Sequence, residues 1–246
     1  HDMEYIRMET KYVTGISKSL GGSGDPSLLT AFGTYLGIKA SVKYKLNKNS
    51  LDGLSIVVQG LGSVGMELVK YLANDGMKIF AYDIDNELIK IAKKQYGIIS
   101  ISDDMVYDKD VDIYAPCALG ATINDDTIPR LKCSIIAGAA NNVLKDPKKH
   151  SKELLSKGIL YAPDYAINAG GLINVYNELE GYNKDRAFSQ AEAIYDILMD
   201  IFYRSEKENI PTTIASDRKA EERINKIASL KSFYLPNRRK TFLKER

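Results

Sequence analysis

A glycine-rich turn is the part of this sequence whose residue types and spacing are best suited to chemistry. Gly60, Gly62 and Gly65 follow the apolar run 54–58 and open an amphipathic stretch. The first glycine permits a sharp turn, the second lets a ligand approach the backbone, and the third lets the next helix pack on the strand. Unpaired N–H groups at a helix start attract anions. The pattern predicts a pyrophosphate site at Gly60, Leu61, Gly62, Ser63, Val64 and Gly65.

An acidic residue at the end of the next predicted strand extends this motif. Asp83 follows the apolar run 77–82 and lies 23 residues after Gly60, near the ~20 residues at which a carboxylate binds the adenosine ribose of a dinucleotide. A carboxylate repels a 2′-phosphate, and residues 84–87 include no Arg or Lys. The predicted cofactor is therefore NAD, not NADP. The alternative is a strand–helix turn of another α/β domain, in which Asp83 caps the strand end.

Strands and helices alternate through most of the chain, and this alternation gives the glycine turn its setting. Periodic apolar residues predict helices between short apolar runs, and only helices follow residue 161. The predicted fold class is α/β, a Rossmann-type doubly wound, mostly parallel sheet with additional C-terminal helices. The predicted strands cover residues 54–58, 77–82, 111–116, 134–138 and 159–161.

Composition and charge argue against several other classes of protein. The 246 residues carry 34 Lys and Arg against 32 Asp and Glu, a net charge of +2. The charges are interspersed except in a basic tail at 238–246, which we interpret as a solvated terminus, so no nucleic-acid partner is predicted. No signal peptide, membrane-spanning run or CxxC pair is present, which indicates a cytoplasmic protein with no membrane partner. His1 and His150 lack metal-ligand spacing, so no metal site is predicted.

The loops that follow the predicted strands carry a family resemblance. They resemble those of the Glu/Leu/Phe/Val amino acid dehydrogenase family, nearly throughout the chain and in order, and most of all its leucine-specific members. The resemblance implies NAD-dependent oxidative deamination of an amino acid to the 2-oxo acid, in a two-domain protein that forms a homo-oligomer. This chain would supply the NAD-binding half. The matching segments are 13–17, 25–27, 30–31, 59–65, 115–120, 137–142, 161–175, 194–196 and 220–224.

The resemblance also assigns cofactor contacts. Thr30 and Asn141 would hydrogen-bond the nicotinamide carboxamide; the alternatives are a helix hydroxyl bonded four residues back for Thr30 and a turn residue for Asn141. Cys117 has no histidine nearby in sequence to activate it, so we interpret it as a packing residue rather than a nucleophile. The remaining residues that would line the cofactor site are Ala115, Pro116, Cys117, Ala137, Gly138 and Ala139.

A second set of residues would contact the substrate. By resemblance, Asn168 reaches the amino or carboxylate group, while Leu172 and Val175 lie one helical turn apart and line the side-chain pocket. An uncharged aliphatic wall suits leucine, valine or isoleucine better than glutamate, which would need a cationic partner. The alternative is that Leu172 and Val175 are ordinary core residues.

The groups that deamination needs besides these are expected outside the chain. In the family, two lysines and an aspartate of the first domain bind the carboxylate, activate water and carry protons. We therefore expect no catalytic residue here and no turnover by this chain alone. Residues 1–24 would end that first domain and form a linker, 25–210 would form the NAD-binding domain, and 211–246 would return towards the first domain. The alternative is a free-standing NAD-binding regulatory module without catalysis.

Overall fold

Six parallel strands form one sheet in the order β3-β2-β1-β4-β5-β6. The computed structural model describes residues 2–231. The chain first builds one half of the sheet outwards from β1 and then returns to build the other half from β4. This confirms the predicted doubly wound parallel sheet. The strands are β1 Ser55–Gln59, β2 Lys78–Tyr82, β3 Ile99–Ser100, β4 Ile113–Pro116, β5 Ile135–Ile136 and β6 Leu160–Tyr161.

Ten α-helices connect and flank these strands within residues 2–231. The segment that leads to α9 is a short α-helix, Gly170–Tyr176, followed by a 3₁₀ turn, Asn177–Glu180, that ends at Gly181 with φ 79°. The helices are α1 Asp2–Glu9, α2 Ser27–Leu46, α3 Ser63–Asn74, α4 Asn86–Tyr96, α5 Met105–Asp108, α6 Pro147–Ser156, α7 Asp164–Ile167, α8 Gly170–Tyr176, α9 Lys184–Glu208 and α10 Thr212–Lys231.

The central strand β1 is buried on both faces, which explains its unbroken apolar run. Ile56 and Val58 join the core under α2, α3 and α9, while Val57 joins the core on the other face. Strands covered by helices on both faces have continuous apolar sequences rather than alternating apolar and polar residues. The ends of β1 and β4 lie side by side at the point where the chain changes direction across the sheet, and such points form ligand crevices in open α/β sheets.

Helix α2 packs closely against α9 through two glycines. A Cβ at Gly33 would lie 2.6 Å from the Cδ1 of Ile194, and one at Gly37 would lie 2.8 Å from the Cδ1 of Leu198. Both positions therefore need the absence of a side chain for the helices to approach. This contact fixes the N-terminal turn of α2 beside the carboxyl ends of the strands.

Residues 13–24, here named the strap, are folded onto the rest of the molecule. Val13 and Ile16 are buried, and the Gly24 N–H donates to the Ile16 carbonyl at 3.1 Å. The Glu178 carboxylate accepts the N–H of Gly15 at 2.9 Å and that of Ser23 at 2.7 Å. The region expected to be a linker is thus held in place by a carboxylate far along the chain.

Helix α10 packs on α9 at its start and leaves its later turns exposed. Arg204 of α9 forms ion pairs with Glu208 and with Glu222 of α10, whereas Ile224 is 64% exposed. The basic tail at 238–246 lies outside the described residues. Among the helices of residues 2–231, none combines the length and apolar character needed to cross a bilayer.

Candidate functional site

Two of the three motif glycines are required by close packing. Gly60 has φ +103°, a conformation that favours glycine, and its N–H donates to the Tyr82 carbonyl at 2.8 Å. A Cβ at Gly65 would lie only 2.0 Å from the carbonyl oxygen of Gly60. The turn is therefore pressed against the start of α3, as the spacing predicts.

The middle glycine lies under open space instead. No atom lies within 4 Å of a Cβ built on Gly62, which is the N-cap of α3 and makes no side-chain cap bond. Gly62 and Ser63 are exposed, Val64 is half-buried, and Leu61 is buried. The first N–H groups of a helix lack intrahelical acceptors. An anion can thus approach the Gly62 and Ser63 backbone without displacing protein atoms.

Asp83 links the end of β2 to the glycine turn. Its Oδ2 accepts the Leu61 N–H at 2.5 Å, and its Oδ1 accepts the Asp85 N–H at 2.8 Å. The Leu61 amide is consequently engaged by protein and is not free for a phosphate. Each carboxylate oxygen has a second lone pair that can accept a ribose hydroxyl. The cap and the ribose contact are compatible, and the residues present fit a dinucleotide.

The ends of β1, β4 and β5 are joined into one wall. The Cys117 N–H donates to the Gln59 carbonyl at 2.8 Å, and the Ala140 N–H donates to the Pro116 carbonyl at 2.9 Å. A Cβ at Gly138 would lie 2.2 Å from that Pro116 oxygen. The loops after these three strands are therefore in direct contact with one another.

Not every residue predicted for this wall can touch a ligand. Ala115 and Ala137 have no exposed surface and lie within the core below the loops, whereas Ala139 is half-buried. Burial raises the pKa of the Cys117 thiol to about 11, so the thiol is protonated at neutral pH. A protonated thiol is a poor nucleophile, which agrees with a packing role for Cys117.

The structure brings two predicted site residues into direct contact. The Asn168 Nδ2 donates to the Asn141 Oδ1 at 2.6 Å and to the Ala139 carbonyl at 3.2 Å. Asp164 holds the same loops together, because its Oδ2 accepts the Val143 N–H at 2.9 Å. The substrate and cofactor assignments, made on separate segments of sequence, therefore meet at the ends of β5 and β6.

Thr30 and α8 complete the same edge of the sheet. The Thr30 hydroxyl donates to the Pro26 carbonyl at 2.9 Å, four residues back along the chain. A Cβ at Gly171 would lie 2.8 Å from the Thr30 Oγ1, so the start of α8 lies against the first turn of α2. Leu172 of α8 is 72% exposed and is not a core residue; Val175 is half-buried.

Sequence reasoning missed the residues that position this site. Glu178 and Asp164 each accept backbone N–H groups of other segments. Glu178 and its donor Ser23 are 155 residues apart in sequence. Backbone donors carry no residue signature, so no motif could indicate these contacts. Carboxylates commonly accept exposed N–H groups at turns, but this preference does not indicate which turn a given carboxylate binds.

Sequence reasoning also did not foresee a cluster of possible metal ligands. Asp125, His150 and Glu153 have ligand atoms within 4.8 Å of one another. The His150 Nδ1 accepts the Asp146 N–H at 3.0 Å, which leaves the proton on Nε2, facing Asp125 at 3.2 Å. Lys149 also pairs with Asp125. Asp125 and His150 are therefore already paired with protein groups.

The fold and the site define a class of α/β protein with a crevice at the carboxyl ends of parallel strands, bordered by a glycine turn and a strand-end carboxylate. The particular family follows from comparison with known proteins. The family model for Glutamate/Leucine/Phenylalanine/Valine dehydrogenase matches residues 83–232. The chain belongs to this family.

Relatives of known activity and solved structure agree with this assignment. Leucine dehydrogenase of Thermoactinomyces intermedius is 48% identical over 238 residues, which are 97% of this chain and 65% of the relative. The crystal structure of L-tryptophan dehydrogenase from Nostoc punctiforme has a TM-score of 0.81 and 47% identity, over 82% of this chain and 62% of that one. The chain thus spans about two thirds of the length of these relatives, or slightly less.

A more distant structure shares the fold. Hetero-hexameric glutamate dehydrogenase from Thermus thermophilus, in its leucine-bound form, has a TM-score of 0.71 with 22% identity, over 95% of this chain and 61% of that chain. At this identity the likeness concerns the fold alone.

Proposed function

We propose that this chain is the NAD-binding half of an enzyme that oxidatively deaminates a branched-chain aliphatic L-amino acid to the 2-oxo acid. One observation carries the proposal. The open Gly62 backbone, Asp83 and the Asn168–Asn141 pair all lie at the carboxyl edge of one sheet. A dinucleotide bound along this edge would have its phosphates, ribose and nicotinamide next to different residues of the set.

The nicotinamide contacts are supported by complementary hydrogen-bonding groups. Thr30 donates its hydroxyl proton to Pro26, which leaves its oxygen as an acceptor. Asn141 accepts from Asn168 through Oδ1, which leaves its Nδ2 as a donor. A carboxamide presents one N–H donor group and one acceptor oxygen, so the two residues suit its two ends. When bound, the nicotinamide supplies the hydride acceptor for oxidation of the substrate.

The preference for an aliphatic substrate rests on α8. Leu172 and Val175 carry no charge, and exposed Leu172 is available to contact a ligand side chain. A pocket for a glutamate side chain would need a cation at this position. The relatives named above act on leucine and on tryptophan, so membership of the family does not by itself select the substrate.

The catalytic lysines and aspartate of the family have no counterpart that we assign in this chain. We propose that they belong to a first domain that precedes residue 25, that residues 25–210 form the NAD-binding domain, and that 211–246 return towards the first domain. This chain alone would bind NAD without turnover. We propose that the whole protein forms a homo-oligomer, as the resemblance to the family implies.

Calorimetric titration of the chain with NADH and NADPH tests the proposal. We expect NADH to bind, and NADPH to bind about tenfold more weakly, because Asp83 would lose a hydrogen bond and repel the 2′-phosphate. Asp83→Ala should weaken NADH binding about tenfold by removing that bond. Asp110→Ala, an exposed aspartate at the other end of the sheet, should leave it unchanged.

The controls separate binding from folding. The melting temperature of Asp83→Ala must be measured alongside, since this carboxylate also holds the Leu61 N–H. Equal affinities of a folded Asp83→Ala variant and the unaltered chain would remove Asp83 from the site. NADH binding by a whole protein that never turns over an amino acid would favour the regulatory module instead.

A further inference from the structure

A second cavity lies behind α8, on the other side of that helix from the proposed substrate pocket. It has a volume of about 340 Å³ and is bounded by the strap, the start of α2, α8 and the start of α9. Asn174 lines it, and Asn174 lies two residues after Leu172. Residues two apart on a helix point in nearly opposite directions. None of the predicted cofactor or substrate residues lines the cavity, so the cavity is separate from the crevice at the strand ends.

The floor of this cavity contains a polar group without a partner. Asn174 is 3% exposed, and its Oδ1 accepts the Tyr182 hydroxyl at 2.9 Å. Its Nδ2 is buried and has no acceptor among the residues that the structure describes. Buried polar groups in folded proteins are nearly always hydrogen-bonded. A ligand that brings an acceptor into the cavity would satisfy this donor.

The mouth of the cavity carries two lysines that form no ion pair with the side chains described by the structure. Lys18 and Lys184 line it, and in residues 2–229 no carboxylate comes within 4.0 Å of either ammonium group. The Lys184 ammonium lies 5.5 Å from the centroid of the Phe188 ring. Asp25 also lines the mouth, and its Oδ1 accepts the Ser27 N–H at 2.9 Å. The lysines give the mouth a net positive charge.

Part of the remaining wall is apolar. Leu28, Leu29 and Phe188 line the cavity, Leu29 being fully buried. A ligand that fits must therefore combine a negatively charged acceptor group with a hydrocarbon part. Ligand sites commonly combine an apolar lining with a few polar groups that fix orientation.

We propose that this cavity binds a small carboxylate with an apolar tail. The carboxylate accepts a hydrogen bond from the Asn174 Nδ2 and is attracted by the positive charge of Lys18 and Lys184, while the tail packs on Leu29 and Phe188. This site is distinct from the cofactor crevice, and the proposal does not depend on the proposed function. Because Asn174 and Leu172 share α8, a ligand here would contact the helix that carries the proposed substrate pocket.

Titration of the full 246-residue chain with sodium 4-methylpentanoate tests the site, without NAD present. We expect saturable binding by calorimetry and by amide chemical-shift changes in the strap and α8. The uncharged 4-methylpentanamide should bind about tenfold more weakly, because it cannot pair with the lysines. Equal binding of acid and amide would overturn the proposal.

Variants locate the bound acid. Lys184→Met and Asn174→Leu should each weaken binding about tenfold, and Lys148→Met, an exposed lysine on α6, should not. Lys184→Met keeps the test valid if Asn174→Leu fails to fold. Asn168→Ala alters the crevice only, so binding should survive it. Loss of binding in Asn168→Ala with normal binding in Lys184→Met would place the acid in the crevice and refute the second site.

Discussion

Gly62 and Gly65 lie three residues apart in opposite surroundings, one under open space and the other 2.0 Å from a backbone oxygen when a Cβ is added. A methyl group at Gly65 must push the turn away from α3. We expect Gly65→Ala to lower the free energy of unfolding by about 2 kcal/mol, as overpacked positions do. Chemical denaturation measures this loss.

Gly62→Ala is the matched variant at the same turn. Its φ of −62° is open to any residue, so we expect a change in unfolding free energy within about 0.5 kcal/mol. The new methyl group would occupy the space above the backbone where a phosphate is proposed to lie. NADH binding should therefore weaken in a variant of normal stability. Unchanged NADH binding would argue that the phosphates lie elsewhere.

At the residue scale, sequence spacing predicted the site residues whose positions depend only on neighbouring parts of the chain. The three glycines and the separation of Asp83 follow from the strand–turn–helix unit itself, so the pattern was sufficient to indicate them. It could not show that the Leu61 amide donates to Asp83. Nor could it indicate Glu178, whose two donors belong to a segment more than half the chain away.

At the scale of elements, ion pairs hold α10 against α9. Arg204 pairs with Glu208 and Glu222 and lowers the pKa of both carboxyl groups below the usual 4.5. A carboxyl group whose pKa is lower in the folded than in the unfolded protein stabilises the fold at a pH above its unfolded-state pKa. This stabilisation is lost as the pH falls through the folded-state pKa. The contribution of these pairs should thus be present at neutral pH and be lost progressively as the pH falls below the usual carboxyl pKa of 4.5.

The variant Glu222→Gln tests this expectation. We expect it to lower the melting temperature slightly at pH 7, because exposed ion pairs contribute only modestly, and to have a smaller effect as the pH falls below 4.5 towards 3. Glu221→Gln, its exposed neighbour on α10, serves as the control at each pH. A difference between Glu222→Gln and the unaltered chain that persists undiminished at pH 3 would assign the effect to packing rather than charge.

Long elements with clear ends were predictable, and short ones were not. The bounds of α9 agree with its sequence periodicity because Asn183 caps the Arg186 N–H and Asn209 ends the helix with positive φ. Strand β3 was missed because it has two exposed residues, Ile99 and Ser100. Pairing to β2 decides its conformation, and that information is not local.

At the scale of the whole molecule, α8 and the 3₁₀ turn that follows it present exposed apolar side chains. Leu172, Tyr176 and Leu179 follow one another at helical spacing along α8 and the 3₁₀ turn, and all three are exposed. Contiguous exposed apolar surface usually marks an interaction site. We therefore expect this chain to self-associate with rising concentration when it is studied alone.

Sedimentation velocity of a double variant, Tyr176→Glu with Leu179→Glu, measures this tendency. The charges should reduce association, with a change in unfolding free energy within about 0.5 kcal/mol because both side chains are exposed. Ile91→Glu places the same charge on exposed Ile91 of α4 and should leave association unchanged. Association lost in Ile91→Glu but retained in the double variant would identify a different face.

The sequence predicted the fold class, a doubly wound sheet, but not the order of the strands in it. Alternating strands and helices imply a doubly wound sheet, and the observed order is one of the common arrangements. The breaks between α7, α8 and the 3₁₀ turn depend on how α8 meets Leu29 and Thr30 of α2. Such contacts join distant segments, and a one-dimensional pattern does not contain them.

The close contact of α2 with α9 has a consequence for synthesis on the ribosome. Leu29 and Ile38 of α2 are fully buried in the core beneath α9, yet α9 emerges only after more than half of the remaining chain has been translated. Contacts between such distant segments form late and slow folding. The nascent protein therefore carries the side of α2 that faces α9 uncovered until α9 has been made, and such exposed apolar surface promotes aggregation of an unfinished chain.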